Sequence, residues 1–108
     1  MPKGDSLGEF EQLVMLAVLR LREEAYGMTV RREIEERTGR ESAIGAVYAT
    51  LDRLEHKGLV RSHETAASDD RGGRPRRTYQ VTAVGQKSLQ ETRKALASMM
   101  EGIKLRAV

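Results

Sequence analysis

The sequence between residues 44 and 60 reads IGAVYATLDRLEHKGLV and has the hydrophobic spacing of an amphipathic helix. The apolar residues on one face of that helix recur at steps of three and four residues and are Ile44, Val47, Leu51 and Leu54. Ser42 can cap the start of the helix and Gly58 can end it. The pattern therefore predicts a helix over about residues 43–57.

The opposite face of this helix combines small and polar side chains. Its members are Gly45, Ala49, Asp52, Arg53 and His56, with Tyr48 and Thr50 at the two edges. A glycine inside a helix costs about 1 kcal/mol relative to alanine. Close approach to another surface gives a reason to accept that cost, and an ordinary solvent-exposed face is the alternative.

The patterns on either side predict three more helices and two strands. In chain order, the expected elements are helices over about 7–23 and 28–38, the helix described above, strands over 59–64 and 78–81 separated by a loop over 65–77, and a last helix over about 83–104. Ser6 and Glu9 have the spacing of a capping box for the first helix. Gly39 suits the C-terminal cap of the second helix, and Thr82 can cap the last. The expected fold class is mainly α with a small β-hairpin, arranged as a winged helix-turn-helix.

A helix-turn-helix places its second helix in the major groove of DNA and leads with the N-terminal residues of that helix. The residues of this helix predicted to contact DNA are Ser42, Gly45, Ala46, Tyr48, Ala49, Thr50 and Arg53. Two alternatives stay open at this point. Tyr48 could be a half-buried core residue, and Arg53 could be a solvated arginine paired with a neighbouring acid.

The loop before the second strand contains the segment Arg71–Arg77, RGGRPRR, with four arginines and no acid. Glycine permits close approach of the backbone to DNA, and an extended arginine segment fits a narrow, strongly negative minor groove. The predicted contacts in this segment are Arg71, Gly73, Arg74, Arg76 and Arg77. The alternative is a solvated basic loop.

The composition limits the other classes of function. The 108 residues suffice for one domain, carry a net charge of +3 and include no cysteine, which excludes disulfides and thiolate metal sites. The N-terminus lacks the layout of a signal peptide and no apolar run is long enough to cross a bilayer, so we expect a cytoplasmic protein without membrane contact. His56 and His63 lack metal-ligand spacing, and no Walker loop or nucleophile elbow occurs. We therefore expect no metal, no cofactor and no enzymatic activity.

The last helix has an apolar stripe with the 3.5-residue period of a coiled coil. The members of this stripe are Gly85, Leu89, Thr92, Leu96, Met99 and Ile103. Such a stripe needs a partner, either the first helix of the same chain or a second subunit. We therefore divide the chain into a DNA-binding domain over residues 1–82 and a dimerisation helix over residues 83–108, within one compact unit.

Three stretches resemble the PadR family of bacterial transcriptional regulators. They are Tyr26–Gly27, residues 44–60, and Gly73–Gly85, which reads GRPRRTYQVTAVG. Each motif also occurs in other winged-helix families, but the three in this order and spacing are more specific, and the resemblance covers residues 7–103. The chain departs from the family at Ile44, where a proline is common, and it has no tryptophan with which to sandwich a planar drug.

The resemblance implies a homodimer that represses transcription from pseudo-palindromic operators in double-stranded DNA. Such dimers typically form through the last helix with help from the first, and an aromatic or drug-like effector commonly binds at the interface. The interface residues implied here are Phe10, Leu13, Leu89, Leu96, Met99, Met100 and Ile103. A protein-interaction module is the alternative function, although a protein interface seldom needs four clustered arginines.

Overall fold

A computed structural model describes residues 7–65 and 75–105 of the chain. In chain order, the elements are α1 Glu9–Leu21, a 3₁₀ turn at Arg22–Glu24, α2 Gly27–Thr38, α3 Ile44–His56, β1 Val60–Thr65, β2 Arg76–Val81 and α4 Ala83–Met100. The two strands form an antiparallel hairpin. The expected fold class, mainly α with a small hairpin that forms the wing of a winged helix-turn-helix, is confirmed.

The core lies where α1, α2 and α3 meet the hairpin. On α3, the side chains of Val47, Leu51 and Leu54 are completely buried, and Ile44 packs at the edge of the core. The other completely or almost completely buried apolar side chains include Val14, Met15, Val18, Ala25, Val30, Val60 and Tyr79. The inward face predicted for α3 is therefore correct, and each helix of the trio contributes one apolar face to a common core.

The start of α1 differs from its prediction. The helix begins after Gly8, whose backbone N–H donates a hydrogen bond of 3.0 Å to Oε1 of Glu11. Glu11 therefore has the capping role that the spacing assigned to Glu9. Ser6, the other half of the predicted capping box, lies outside the described residues.

The turn between α2 and α3 contains one cap that was predicted correctly and one that was not. Gly39 ends α2 in the left-handed conformation with φ of 73°, as expected. Ser42 does not cap α3, because the helix begins at Ile44 and its N-cap residue is Ala43. The carbonyl of Ala43 accepts the first hydrogen bonds of α3, from the backbone N–H groups of Ala46 and Val47.

The hairpin is longer on its second strand than the sequence predicted. Val60 pairs with Val81 at the base, and Thr65 pairs with Arg76 at the last described position. Arg76 and Arg77 therefore belong to β2 and not to the loop. The arginine-rich composition concealed this, because it resembles a solvated loop more than an alternating strand.

The start of α4 is fixed to the base of the hairpin. Thr82 caps the helix as predicted, since its hydroxyl accepts a hydrogen bond of 3.0 Å from the Gly85 N–H. The same hydroxyl donates to the Gly58 carbonyl over 2.7 Å. Gly85 lies directly against the Leu59 carbonyl, where any Cβ atom would overlap the oxygen. The helix ends at Met100, four residues before the predicted end at 104.

Candidate nucleic-acid interface

The outward face of α3 is open. Gly45, Ala46 and Ala49 are all exposed, and a Cβ atom added at Gly45 would meet nothing within 4 Å. No contact of the described chain therefore explains the glycine at this position. The first backbone hydrogen bond of α3 runs from the Ala46 N–H to the Ala43 carbonyl, so the N–H groups of Ile44 and Gly45 lie ahead of the helical ladder, where a helix can bind an anion.

Ser42 stands beside this helix start. Its side chain is half-buried, and its hydroxyl oxygen is buried without a hydrogen-bond partner within residues 7–65 and 75–105. A buried hydroxyl without a partner is costly. Ser42 is therefore positioned at the end of α3 expected to meet a phosphate, although not as the cap that the sequence predicted.

Tyr48 lies at the edge of the open face and contacts α2. Its side chain remains 42% exposed, and its ring lies against Gly27, where a Cβ atom would overlap the Cζ and hydroxyl end of the ring. Tyr48 is thus half-packed against α2 and half-exposed, and its contact with DNA stays a prediction.

Thr50 does not belong to the open face, so its predicted contact with DNA is corrected. Its side chain is only 3% exposed. The hydroxyl donates to the Ala46 carbonyl over 2.8 Å and accepts a hydrogen bond of 3.3 Å from Arg53 Nη2. Threonine commonly bonds the preceding helical turn in this way, and with its donor used and its side chain buried, Thr50 is withdrawn from the outer surface.

Arg53 is held from the side by a carboxylate of α1. The buried Glu11 accepts a hydrogen bond of 3.0 Å from Lys57 Nζ and lies 3.5 Å from Arg53 Nε. Burial alone would raise the pKa of Glu11, but the hydrogen bond from the Gly8 N–H and the charges of Lys57 and Arg53 outweigh burial and lower that pKa. Glu11 is therefore charged at neutral pH and connects α1 to the C-terminal half of α3. The Arg53 side chain remains half exposed.

The second strand of the wing is attached to the segment between α1 and α2. The guanidinium carbon of Arg76 lies 3.9 Å above the centroid of the Tyr26 ring. The backbone N–H of Tyr79 donates to the Ala25 carbonyl over 2.8 Å. The Tyr79 side chain is buried, and burial, together with the negative charge of Asp52, raises the pKa of its phenol. The strand β2 is thus fixed from both its backbone and its side chains.

Arg77, on the other side of β2, belongs to a polar chain that leads to α3. Its Nη1 donates to Ser62 Oγ over 2.9 Å, and Nη2 lies 3.4 Å from Glu64 Oε1. Ser62 in turn donates to Glu55 of α3 over 2.7 Å. Arg77 remains half exposed. The other predicted wing contacts, Arg71, Gly73 and Arg74, lie outside the described residues.

This geometry, with an open helix start beside a basic hairpin, agrees with a family comparison. The model of the PadR-like family of transcriptional regulators matches residues 15–91 of the chain. The chain belongs to the PadR-like family. The predictions of a DNA-binding transcriptional regulator and of no enzymatic role therefore hold at the level of this family.

Individual relatives agree with this assignment. The chain is 36% identical over 76 residues to the transcriptional regulator Rv3488 of Mycobacterium tuberculosis, a match that covers 70% of this chain and 66% of that protein, just under two thirds of its length. It is 30% identical over 100 residues to an uncharacterised protein of Lysinibacillus sphaericus, covering 91% and 87% of the two chains. Among solved structures, it is similar to a PadR family transcriptional regulator from Eggerthella lenta, with a TM-score of 0.69, 28% identity and coverage of 88% and 82%.

The residues to which the PadR resemblance assigned a dimer interface fall into two groups. Leu96, Met99, Met100 and Ile103 are exposed in this chain. Leu89 is 6% exposed and packs in the core of its own chain, so it has little surface left for a partner. Phe10 and Leu13 are partly buried against the same core.

Sequence reasoning missed several residues that hold this PadR-like interface together. Glu11 and Lys57 are 46 positions apart, and no local pattern predicts their pairing. Glu55 and Ser62 were not singled out either. Tyr26–Gly27 was noted only as part of the family resemblance, and its contacts with the wing and with Tyr48 were not predicted.

None of the helices within residues 7–65 and 75–105 is long and apolar enough to cross a membrane.

Proposed function

We propose that this protein is a cytoplasmic, homodimeric repressor that binds a pseudo-palindromic operator in double-stranded DNA. One observation carries the proposal: the open start of α3, where a Cβ atom added at Gly45 would meet nothing within 4 Å and the first N–H groups precede the helical ladder. A glycine that costs helix stability without serving any internal contact is explained by close approach of an external surface. The N-terminus of a recognition helix approaches DNA in this way.

Each DNA half-site would be contacted by two elements of one subunit. The proposed contacts from the α3 region are Ser42, Gly45, Ala46, Tyr48, Ala49 and Arg53. From the wing they are Arg71, Gly73 and Arg74, with Arg77 half exposed near the start of β2. Small side chains dominate the α3 set, so few of them can hydrogen-bond base edges. Specificity would therefore rest on DNA shape and half-site spacing as well as on direct contacts.

The dimer would form through the distal half of α4. This half belongs to the dimerisation part, residues 83–108, of the proposed division of the chain. Leu96, Met99 and Ile103 are exposed and share one helical stripe. Adjacent to them, a groove of about 270 Å³ lies between α1 and α4. The groove is lined by Leu16, Leu19, Gln86, Leu89, Gln90 and Arg93. An aromatic or drug-like effector would fit this mixed apolar and polar lining, and would act by favouring one spacing of the two α3 helices over another.

The proposal is tested with operators selected from a random duplex library by the purified protein. We expect a palindromic consensus, and an apparent association constant that falls linearly with salt on logarithmic axes. Arg74→Ala should reduce the salt slope by about one, because one phosphate or groove contact is lost. Lys87→Ala removes a positive charge from an exposed position of α4 and should leave the slope unchanged.

Two results would count against the proposal. Absence of any duplex binding at low salt would favour a protein-interaction module. Selection of a consensus without two-fold symmetry would exclude the dimeric arrangement.

A further inference from the structure

Tyr26 and Gly27 form a junction between the two elements that would contact DNA. The guanidinium of Arg76, a residue of β2, lies over the ring of Tyr26. The ring of Tyr48, a residue of α3, packs against the backbone of Gly27. Two consecutive residues therefore contact the wing on one side and the recognition helix on the other.

The Tyr26 ring is well placed to hold the wing. Its own backbone is fixed, because its N–H donates to Thr29 Oγ1 over 3.0 Å and it stands at the start of α2. One residue earlier, the Ala25 carbonyl accepts the backbone hydrogen bond from Tyr79. The half-buried Arg76 thus lies over the ring of a residue whose backbone is held in place, and cation–π attraction is stronger where water is partly excluded.

Arg76 was predicted from the sequence to contact DNA, but its position suggests a different role. With its guanidinium carbon 3.9 Å above the aromatic centroid, Arg76 places its charge against the ring of Tyr26. Arg76 is therefore better explained as the attachment of the wing to the helical core.

The Tyr48 ring can take its observed position because Gly27 has no side chain. A Cβ atom at position 27 would overlap the far end of the Tyr48 ring. Because that ring is 42% exposed, it could swing outward into solvent without disturbing the core. The orientation of Tyr48 towards DNA therefore depends on Gly27, whereas the fold does not.

We propose that Tyr26 and Gly27 are positioning residues that set the geometry of the wing and of the recognition helix relative to each other. This inference rests on the proposed function, because it assigns the two residues a role in operator binding. Neither residue contacts DNA itself. Tyr26 acts through Arg76 on the wing, and Gly27 acts through Tyr48 on α3.

The experiment compares four variants on the selected operator: Tyr26→Leu, Tyr26→Phe, Gly27→Ala and Met28→Ala. Hydroxyl-radical footprinting reports contacts along the minor groove, and protection of guanine N7 from methylation reports contacts in the major groove. We expect Tyr26→Leu to bind about tenfold more weakly and to lose protection only where the wing lies. Tyr26→Phe keeps the ring and should restore the wild-type footprint.

Gly27→Ala should give the opposite pattern. Protection around α3 should weaken by a similar factor, while protection by the wing persists. Met28 is exposed next to the junction, so Met28→Ala serves as the matched control and should match the wild type. In the free protein, the side-chain proton resonances of Arg76 should show an upfield ring-current shift in the wild type and in Tyr26→Phe, and lose it in Tyr26→Leu.

Three outcomes would overturn the inference. The first is an unchanged footprint in Tyr26→Leu. The second is uniform loss of protection in both grooves together with a lowered melting temperature, which indicates a merely structural role. The third is failure of Tyr26→Phe to rescue. If the wild-type chain bound no duplex, the proposed function itself would fail and the inference with it, whereas normal wild-type binding with unaltered variants would overturn the inference alone.

Discussion

The helices α3 and α4 carry similar apolar stripes that end in opposite environments. On α3, Val47, Leu51 and Leu54 are completely buried. On the second half of α4, the equivalent residues Leu96 and Met99 are 47% and 77% exposed. The stripe of α3 packs in the core of its own chain. The distal stripe of α4 has nothing in the described chain to cover it, and the proposed dimer would supply that cover.

The change between the two environments occurs within α4 itself. Gly85, Ser88 and Leu89 are buried against the hairpin and the core, whereas every residue from Arg93 to Met100 is exposed. The first two turns are therefore a part of the winged-helix domain. The boundary between the functional parts, proposed from the sequence at residues 82 and 83, lies about two turns further along in terms of packing.

The strongest contrast between the two stripes should come from stability measurements. Leu51→Ala should lower the free energy of unfolding by about 2–5 kcal/mol, because it leaves a cavity among completely buried side chains. Denaturation with urea measures the loss, which should not depend on protein concentration. A loss below about 1 kcal/mol would contradict the packing described for α3.

Substitutions in the distal stripe of α4 should weaken dimerisation without unfolding the subunit. Leu96→Glu or Met99→Glu should convert a dimer into a folded monomer, since a charge would be buried at the interface. Sedimentation velocity measures the mass. Lys94→Glu, an exposed α4 position off the stripe, is the control and should stay dimeric. A dimer that survived both stripe variants would place the interface elsewhere.

A substitution on the outer face of α3 should have a smaller effect than one on its inner face. Gly45→Ala adds a methyl group in open space, so the free protein should keep its fold and gain up to about 1 kcal/mol in stability. Affinity for the operator should fall about tenfold if DNA approaches the backbone at this point, a difference of about 1.4 kcal/mol. Fluorescence anisotropy measures the affinity. Unchanged or tighter binding would make Gly45 an ordinary solvent-exposed residue.

The smallest expected effect concerns the attachment of α3 to α1. The pKa of Glu11 is lowered from 4.5 in the folded chain, so its charge stabilises the fold fully above that pH. The contribution is lost as the pH falls through the lower folded pKa. Glu11→Gln should therefore cost about 1 kcal/mol at neutral pH, and the difference from the wild type should shrink below pH 4.5.

Glu9→Gln provides the control for this measurement. Glu9 also faces a basic side chain, Arg40, but its own side chain is 79% exposed. Because solvent screens such a pair, the variant should change stability little at any pH. Equal pH profiles for the two variants would contradict the role given to Glu11.

The local patterns of this chain were predictable and the long-range ones were not. The inward face of α3, the left-handed Gly39 and the Thr82 cap all follow from neighbouring residues, and all were predicted correctly. The role of Ser42 was wrong because serine and the following alanine can both begin a helix, and only the geometry of the turn chooses between them. Thr50 was placed on the outer face because its rotation about the helix puts it at the edge, where burial is decided by packing.

The sequence suggests residue types for the proposed interface, but it does not predict how the described residues are held. The arginines of the wing segment, together with the helix-turn-helix before them, predict a contact with DNA, which stays a prediction. That Arg76 stacks on Tyr26 depends on a hairpin folding back across 50 residues of sequence. The pairing of Glu11 with Lys57 is of the same kind. Contacts between distant segments leave no periodic signal in a single sequence.

The closure of the hairpin at its base affects how this scaffold can be altered. The Thr82 N–H donates to the Leu59 carbonyl over 3.0 Å, directly below the Val60–Val81 pair. The two strands are thus joined at the base of the hairpin by bonds that do not involve the segment between the strands. Doubling the length of a loop whose ends are fixed costs only about 0.6 kcal/mol. The tip of the hairpin is therefore a suitable place to graft a longer peptide, or to exchange one wing for another, without redesigning the helices beneath it.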